Sequence, residues 1–198
     1  MAFKDLAEAI EDTGKKHRDR MIAVYIGVLA VLLAISGVGG GNATKEATAR
    51  NIEASNTWAF FQAKNIRRHQ LRLQITEFEA LLAGQPALPE AARAMIEENI
   101  AKYRKDEVRL GSEPDTGEGL KELLVKGKVL EEQRNRAMLE DPFFDYGQAL
   151  LQIAIVLASV AIITGGTSLL VLSGVLAALG AAATLNGYLL FWVPPLGG

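Results

Sequence analysis

Residues 146–198 read YGQALLQIAIVLASVAIITGGTSLLVLSGVLAALGAAATLNGYLLFWVPPLGG, and not one of them is charged. All 21 Lys and Arg and all 23 Asp and Glu lie before this stretch. A soluble domain that left its last quarter uncharged and rich in Leu, Ala, Ile and Val would aggregate, so the sequence reads as that of a membrane protein. A helix rises about 1.5 Å per residue, and crossing a hydrocarbon core of about 30 Å takes roughly 20 apolar residues. The stretch is therefore long enough to cross twice if a turn divides it. Gly165-Gly166 supplies the turn, because paired glycines accept torsions that end a helix. Two spans are predicted, at 143–164 and 168–192, joined by a turn at 165–167 and followed by a short tail at 193–198.

Working outward, Met21 to Gly41 is again uncharged and predicts one more span, after a charged segment at 1–20. A secretory signal peptide is the alternative, since Ala34-Ile35-Ser36 loosely fits a cleavage site. The long, half-charged leader and the length of the apolar run favour an anchor. Lys15, Lys16, Arg18 and Arg20 crowd the start of this span, whereas only Lys45 and Arg50 lie near its end. By the positive-inside rule the N-terminus is cytoplasmic and residues 42–142 lie outside. Phe143, Phe144 and Tyr146 begin the second span, and Tyr188, Phe191 and Trp192 end the third. A hairpin brings these aromatics to one interface, where aromatic belts form.

Residues 42–142 hold 16 of the 21 basic residues and are helix-forming throughout. Leu71, Ile75, Phe78 and Leu82 recur at the spacing of one helical face. Gly84-Gln85-Pro86 with Pro89 ends that helix and starts another, which carries Ala92, Met95, Ile96, Ile100 and Tyr103. Residues 111–117 (GSEPDTG) form a loop by their turn chemistry. A further helix over Leu120–Leu139 is predicted to end at Asp141-Pro142. The fold class is all-α: three transmembrane helices with an extramembrane antiparallel helical hairpin or small bundle.

Ala54-Ser-Asn-Thr-Trp58-Ala-Phe60-Phe61-Gln62-Ala-Lys64, followed by Ile66, resembles the hallmark stretch of an uncharacterised bacterial membrane family, domain of unknown function 4337. Ile100-Ala-Lys-Tyr103-Arg-Lys-Asp106 is also similar, as is the layout of one span, a helical middle and a final pair of spans. The resemblance covers most of the chain after residue 21. It implies a bacterial inner membrane location and offers no catalytic or ligand residues to carry over.

Chemistry-bearing groups are sparse. There is no Cys, which removes thiol catalysis, disulfides and thiolate metal sites. His17 and His69 lie among charges with no triad-like neighbours. Glu77, Glu79, Glu97 and Glu98 form no acid–base pair recognisable from spacing. No catalytic, cofactor or metal residue is expected, and the near-neutral charge balance gives no nucleic-acid footprint. Beyond Asp145 at the very start of the second, the spans contain no charge, and of their polar residues Gln148, Gln152 and Ser159 make only a partial stripe, which disfavours a pump or coupled transporter.

Two features remain. Trp58, Phe60, Phe61, Gln62 and Lys64 are a candidate packing or partner patch, with the hairpin core (Trp58 and Phe61 facing Ile96, Ile100 or Tyr103) weighed against a protein-contact surface. Gly174, Ala178 and Ala182 are a candidate helix-packing stripe, first for packing within the three-helix set and second for a homo-oligomer seam, with Leu169, Leu172 and Leu179 turned towards lipid or neighbouring chains. Gly37–Gly41 is read as a flexible exit from the membrane or a close-packing site for the third span. The expected partners are the lipid bilayer and either a second copy of the chain or other membrane proteins. The expected role is non-catalytic interaction or assembly; an oligomeric channel and, less favoured, an envelope enzyme stand as alternatives.

Overall fold

The structure is a computed structural model that describes the backbone of residues 2–193 and the side chains of residues 13–193. The expected tail thus lies outside the described residues beyond Val193. Four helices make up the fold: α1 (Ala2–Gly84), α2 (Glu90–Gly111), α3 (Leu120–Thr164) and α4 (Thr167–Leu189), with no strand among the described residues. Three of them, α1, α3 and α4, are long and apolar enough to cross a membrane. The chain divides into two compact units, one of residues 1–47 and 135–198 and one of residues 48–134.

In the first unit α1, α3 and α4 form a three-helix bundle. Tyr25 bonds to Ser173, and Ser36 to Thr184, each pair 148 residues apart. This constant offset makes α1 and α4 parallel, without slippage. Contacts to α3 run the other way: Ser36 donates to the Phe144 carbonyl at 3.1 Å, and Leu29 joins Leu151 and Ala154 in the core. The α3–α4 turn is where the paired glycines predict it, with Gly165 at φ +73°.

The polar residues of this unit are spent between helices. Ser173 donates to the Ala154 carbonyl at 2.7 Å, so its oxygen accepts from the Tyr25 hydroxyl at 3.0 Å. Thr184 has one proton to share between Ser36 Oγ and the Gly180 carbonyl. Between apolar helices such bonds are worth about 0.6–2 kcal/mol each and fix helix rotation.

Two expected helix ends are corrected. Gly37–Gly41 is no flexible exit, because α1 continues through it. Its glycines are a packing site, but for α3 rather than for the third span. A Cβ at Gly39 would strike the Phe144 ring, and one at Gly40 would lie 3.2 Å from Phe144 Cβ. Gly187 of α4 meets the opposite side of the same ring. Nor does α3 stop at Asp141-Pro142. A proline inside a helix costs about 3 kcal/mol through its missing donor and the crowding of the preceding turn. Here tertiary contacts on both sides outweigh that penalty. Thr44 bonds Asp141 at 2.9 Å just before the proline, while Phe144, 2% exposed, is seated just after it. Phe144 is accordingly no member of an interfacial belt. The other aromatics do converge, with Phe143 and Trp192 at 6.2 Å and Phe144 and Tyr188 at 4.8 Å.

The stripe Gly174, Ala178 and Ala182 is exposed in the monomer, and nothing lies within 4 Å of a Cβ built at Gly174. Packing within the chain uses Ser173, Ala177, Gly180 and Thr184, one helical step away. The reason is the polar pair: Ser173 and Thr184 must face their partners, and that fixes which small residues face inward. Leu172 and Leu179 are exposed and Leu169 half-buried.

The second unit is an antiparallel hairpin built around the C-terminal part of α1, from residue 48 on. α2 lies along α1 through the Phe78–Tyr103 stack, the Glu79–Arg104 ion pair and the Arg72–Glu107 ion pair. The first turns of α3 take over along Asn51–Lys64, from the Lys64–Glu118 contact to the Arg134–Asn51 bond. Ile75 and Ile100 are buried, whereas Met95 points away, 66% exposed.

Phe144→Ala should lower unfolding stability in detergent by about 3–5 kcal/mol, as expected for a fully buried ring. Ala177→Leu should lower the thermal midpoint of the monomer and Ala178→Leu leave it unchanged. The reverse order would mean that α4 is rotated by one step.

Candidate functional site

The longer of the two loops in the second unit, Ser112–Gly119, interrupts the hairpin between α2 and α3. Its shape is dictated locally. Ser112 Oγ donates to Glu122 Oε1 at 2.6 Å, and the Glu113 amide donates to Oε2 of the same carboxylate at 3.1 Å. Glu122 sits in the first turn of α3, where free amides and the helix dipole favour a negative charge. Its pKa is held below the ordinary value chiefly by the Ser112 bond, against the pull of desolvation. Any side chain at Gly119 would collide with the backbone of Ser112 and Glu113, and Gly117 adopts φ +69°.

Opposite this loop, α1 presents Trp58, Phe61, Lys64 and Arg68 at three- and four-residue spacing, hence on one face. The Trp58 indole lies against Gly127 of α3, where a Cβ would come within 2.9 Å of the ring. Its N–H donates to Glu131 Oε1 at 2.9 Å. Phe61 meets Trp58 edge-on at 5.6 Å. Lys64 Nζ donates to the Glu118 carbonyl at 2.6 Å and lies 4.7 Å from the Phe60 ring centre, which joins it to the loop. Arg68 and Arg72 both grip Glu107, whose pKa is lowered chiefly by the Arg72 bond, with burial opposing and Arg68 assisting.

Between these groups lies an open cleft of about 440 Å³ lined by Phe61, Asn65, Arg68, Val108, Ser112, Leu120, Lys121 and Leu124 among others. Its apolar side is Phe61, Val108, Leu120 and Leu124, and its cations are Arg68 and Lys121. Val108 is 69% exposed, so the apolar side of the cleft is open to solvent. Among the described residues no group of three or more His, Asp or Glu is arranged to hold a metal. His17 and His69 are exposed.

A family model described as a domain of unknown function (DUF4337) matches residues 18–190. The chain belongs to the DUF4337 family. That match takes in the whole of this loop, the aromatic face and the three apolar segments. No curated protein matches this DUF4337 chain, and no solved structure does.

The predicted patch in this DUF4337 protein is therefore divided by its surroundings. Trp58 and Phe61 are half-buried in the hairpin, Phe60 and Gln62 are exposed, and Lys64 is tied down. The partner of Trp58 is α3, not Ile96, Ile100 or Tyr103 of α2. Stacking of Phe78 on Tyr103 occupies the α2 position instead. Sequence reasoning missed Gly119, Glu122, Gly127, Glu107 and Glu131. A signal existed for two of them. Gly127 interrupts a helix-forming run where only close approach excuses a glycine, and Glu122 follows Gly119 at capping-box spacing.

Since the folded pKa of Glu107 is depressed, its ion pairs stabilise the hairpin above the ordinary carboxylate range near 4.3 and fade as pH falls through the lower folded value. Glu107→Gln should therefore lower the thermal midpoint at pH 7, and the loss should shrink as pH falls below the ordinary carboxylate range. A loss that stays constant as pH falls would show that the charge does no work. Gly127→Ala should destabilise the hairpin more than Ala substitution at exposed Gly84, read by the same melts.

Proposed function

We propose that this chain is a non-catalytic protein of the bacterial inner membrane, threaded three times with its N-terminus in the cytoplasm, whose helical hairpin docks another protein at the α2–α3 cleft. The observation that carries the reading is an apolar cleft with cationic edges on a rigidly built loop. It suits an apolar side chain flanked by carboxylates on a partner segment, because interface hot spots combine buried apolar anchors with Arg and aromatic groups. The hairpin's best-placed carboxylates support it further. Glu107, Glu122 and Glu131 are each engaged in holding the fold, so their chemistry is structural.

The channel reading is weaker for a stated reason. Ser173 and Thr184, two of the span's polar groups, bond neighbouring helices inside the bundle, and Ser159 donates to the Ile155 carbonyl of its own helix. Little polar surface is left to line a water path.

Val108→Glu and Leu124→Glu change exposed positions, so each variant should keep its thermal midpoint. A photo-cross-linker at position 108 of the chain in native membranes should yield one discrete protein adduct, and Leu124→Glu should abolish it. Smeared labelling that is insensitive to that variant would rule out docking at the cleft. Reporter fusions at positions 10 and 115 should report opposite sides of the membrane, the first cytoplasmic; a cytoplasmic signal at 115 would overturn the threading alone.

A further inference from the structure

A second cavity lies within the three-helix unit, between the start of the apolar part of α1 and the start of α4. It has a volume of about 320 Å³ and is lined by Arg18, Met21, Ile22, Tyr25, Leu170 and Gly174. Such a volume is at the small end of ligand pockets. Its composition is one-sided: a single guanidinium at one end and apolar surface along the rest. The one other polar group, the Tyr25 hydroxyl, is already committed to Ser173. Gly174 opens the far end, because no atom lies within 4 Å of where its Cβ would be. From Arg18 to Tyr25 the groove follows α1 for two turns, about 10 Å at 1.5 Å per residue.

Arg18 is held in place without being used up. Its Nε and Nη2 donate to Asp19 Oδ1, and Nη1 donates to the Gly165 carbonyl at 3.3 Å. A guanidinium has five N–H groups, so two remain, and the side chain is 40% exposed. Arg18 is the one cation in the lining of the cavity. A guanidinium with N–H groups to spare at the end of an apolar groove between long apolar helices matches an anionic headgroup with its chain.

We propose that this groove seats one acyl chain of an anionic phospholipid, with the phosphate held by the free N–H groups of Arg18. The inference rests on the membrane reading above. A soluble anion would leave the apolar groove empty. A second copy packed through α4 would cover Gly174 with a helix that carries no charge and so brings no carboxylate of its own to Arg18.

The test uses the full chain, purified in mild detergent, delipidated, and offered phosphatidylglycerol or phosphatidylcholine before native mass spectrometry. The wild type should retain phosphatidylglycerol preferentially, and Arg18→Gln should reduce that preference about fivefold, the worth of one surface cation at about 1 kcal/mol. Arg18→Lys, which keeps the charge, should restore most of it. Gly174→Leu fills open space without disturbing the fold and should lower retention of both lipids. Retention unchanged in Gly174→Leu, or a preference unchanged in Arg18→Gln, would overturn the proposal. So would a dimer that Gly174→Leu converts to monomer with lipid retention intact, which would assign the groove to a second copy. Fractionation separates the two readings: a chain soluble without detergent defeats the membrane reading, whereas a membrane-bound chain with no lipid preference defeats this inference alone.

Discussion

The ring of Phe144 fixes the three-helix unit. It occupies a slot between Gly39 and Gly40 of α1 and Gly187 of α4, and its edge meets Tyr188 at 4.8 Å. A ring can approach two helix backbones at once only where neither carries a side chain, so three glycines on two helices are spent on one phenylalanine. The same residue's carbonyl accepts the Ser36 hydroxyl, and Ser36 in turn accepts from Thr184. Packing and hydrogen bonding thus converge on one level of the bundle and set the depth of α1 against α3 and α4. The Tyr25–Ser173–Ala154 bonds then repeat the rotational constraint about three turns away.

This arrangement accounts for what the sequence made legible and what it did not. Uncharged length alone defines the apolar segments, and Gly165-Gly166 defines the turn, because both follow from backbone energetics that need no partner. The continuity of α1 through Gly37–Gly41, and of α3 through Pro142, depends on partners remote in sequence. Glycine runs and prolines carry a local preference against helix of about 1–3 kcal/mol each, which a buried ring and a few interhelical bonds outweigh. Local reasoning therefore placed a break at each. The face of α4 that packs within the chain was hidden for a related reason. Small residues occur on several sides of that helix, and only the pairing of Ser173 with Tyr25 and of Thr184 with Ser36 selects among them.

The hairpin shows the same division between local and remote causes. The apolar repeat Leu71, Ile75, Phe78 and Leu82 identified the α1 face that α2 covers, with Ile75 buried and the other three half-buried. Trp58 was recognisable as a residue that packs against protein, but its partner was not. The choice of α3 over α2 depends on Gly127 leaving room for the indole and Glu131 lying four residues on to accept its N–H. A glycine and a glutamate at that spacing have no meaning until a tryptophan is set against them.

The two cavities differ in a way that bears on how each can act. The α2–α3 cleft is bordered by a loop held along its length: Glu122 fixes its start, Gly117 and Gly119 its torsions, Lys64 its end. Such a surface presents a fixed outline and suits recognition of one shape. The α1–α4 groove has no comparable frame. Apart from the Arg18 anchor it is bounded by Met21, Leu170 and an open glycine, groups that can follow a flexible chain rather than select a rigid one. On the readings proposed above, selectivity at the groove comes from charge at the Arg18 end, while the cleft in the hairpin selects by shape as well. The hairpin is thereby assigned a shape-defined surface and the three-helix unit a charge-defined one, because only the first is framed by fixed torsions and paired side chains.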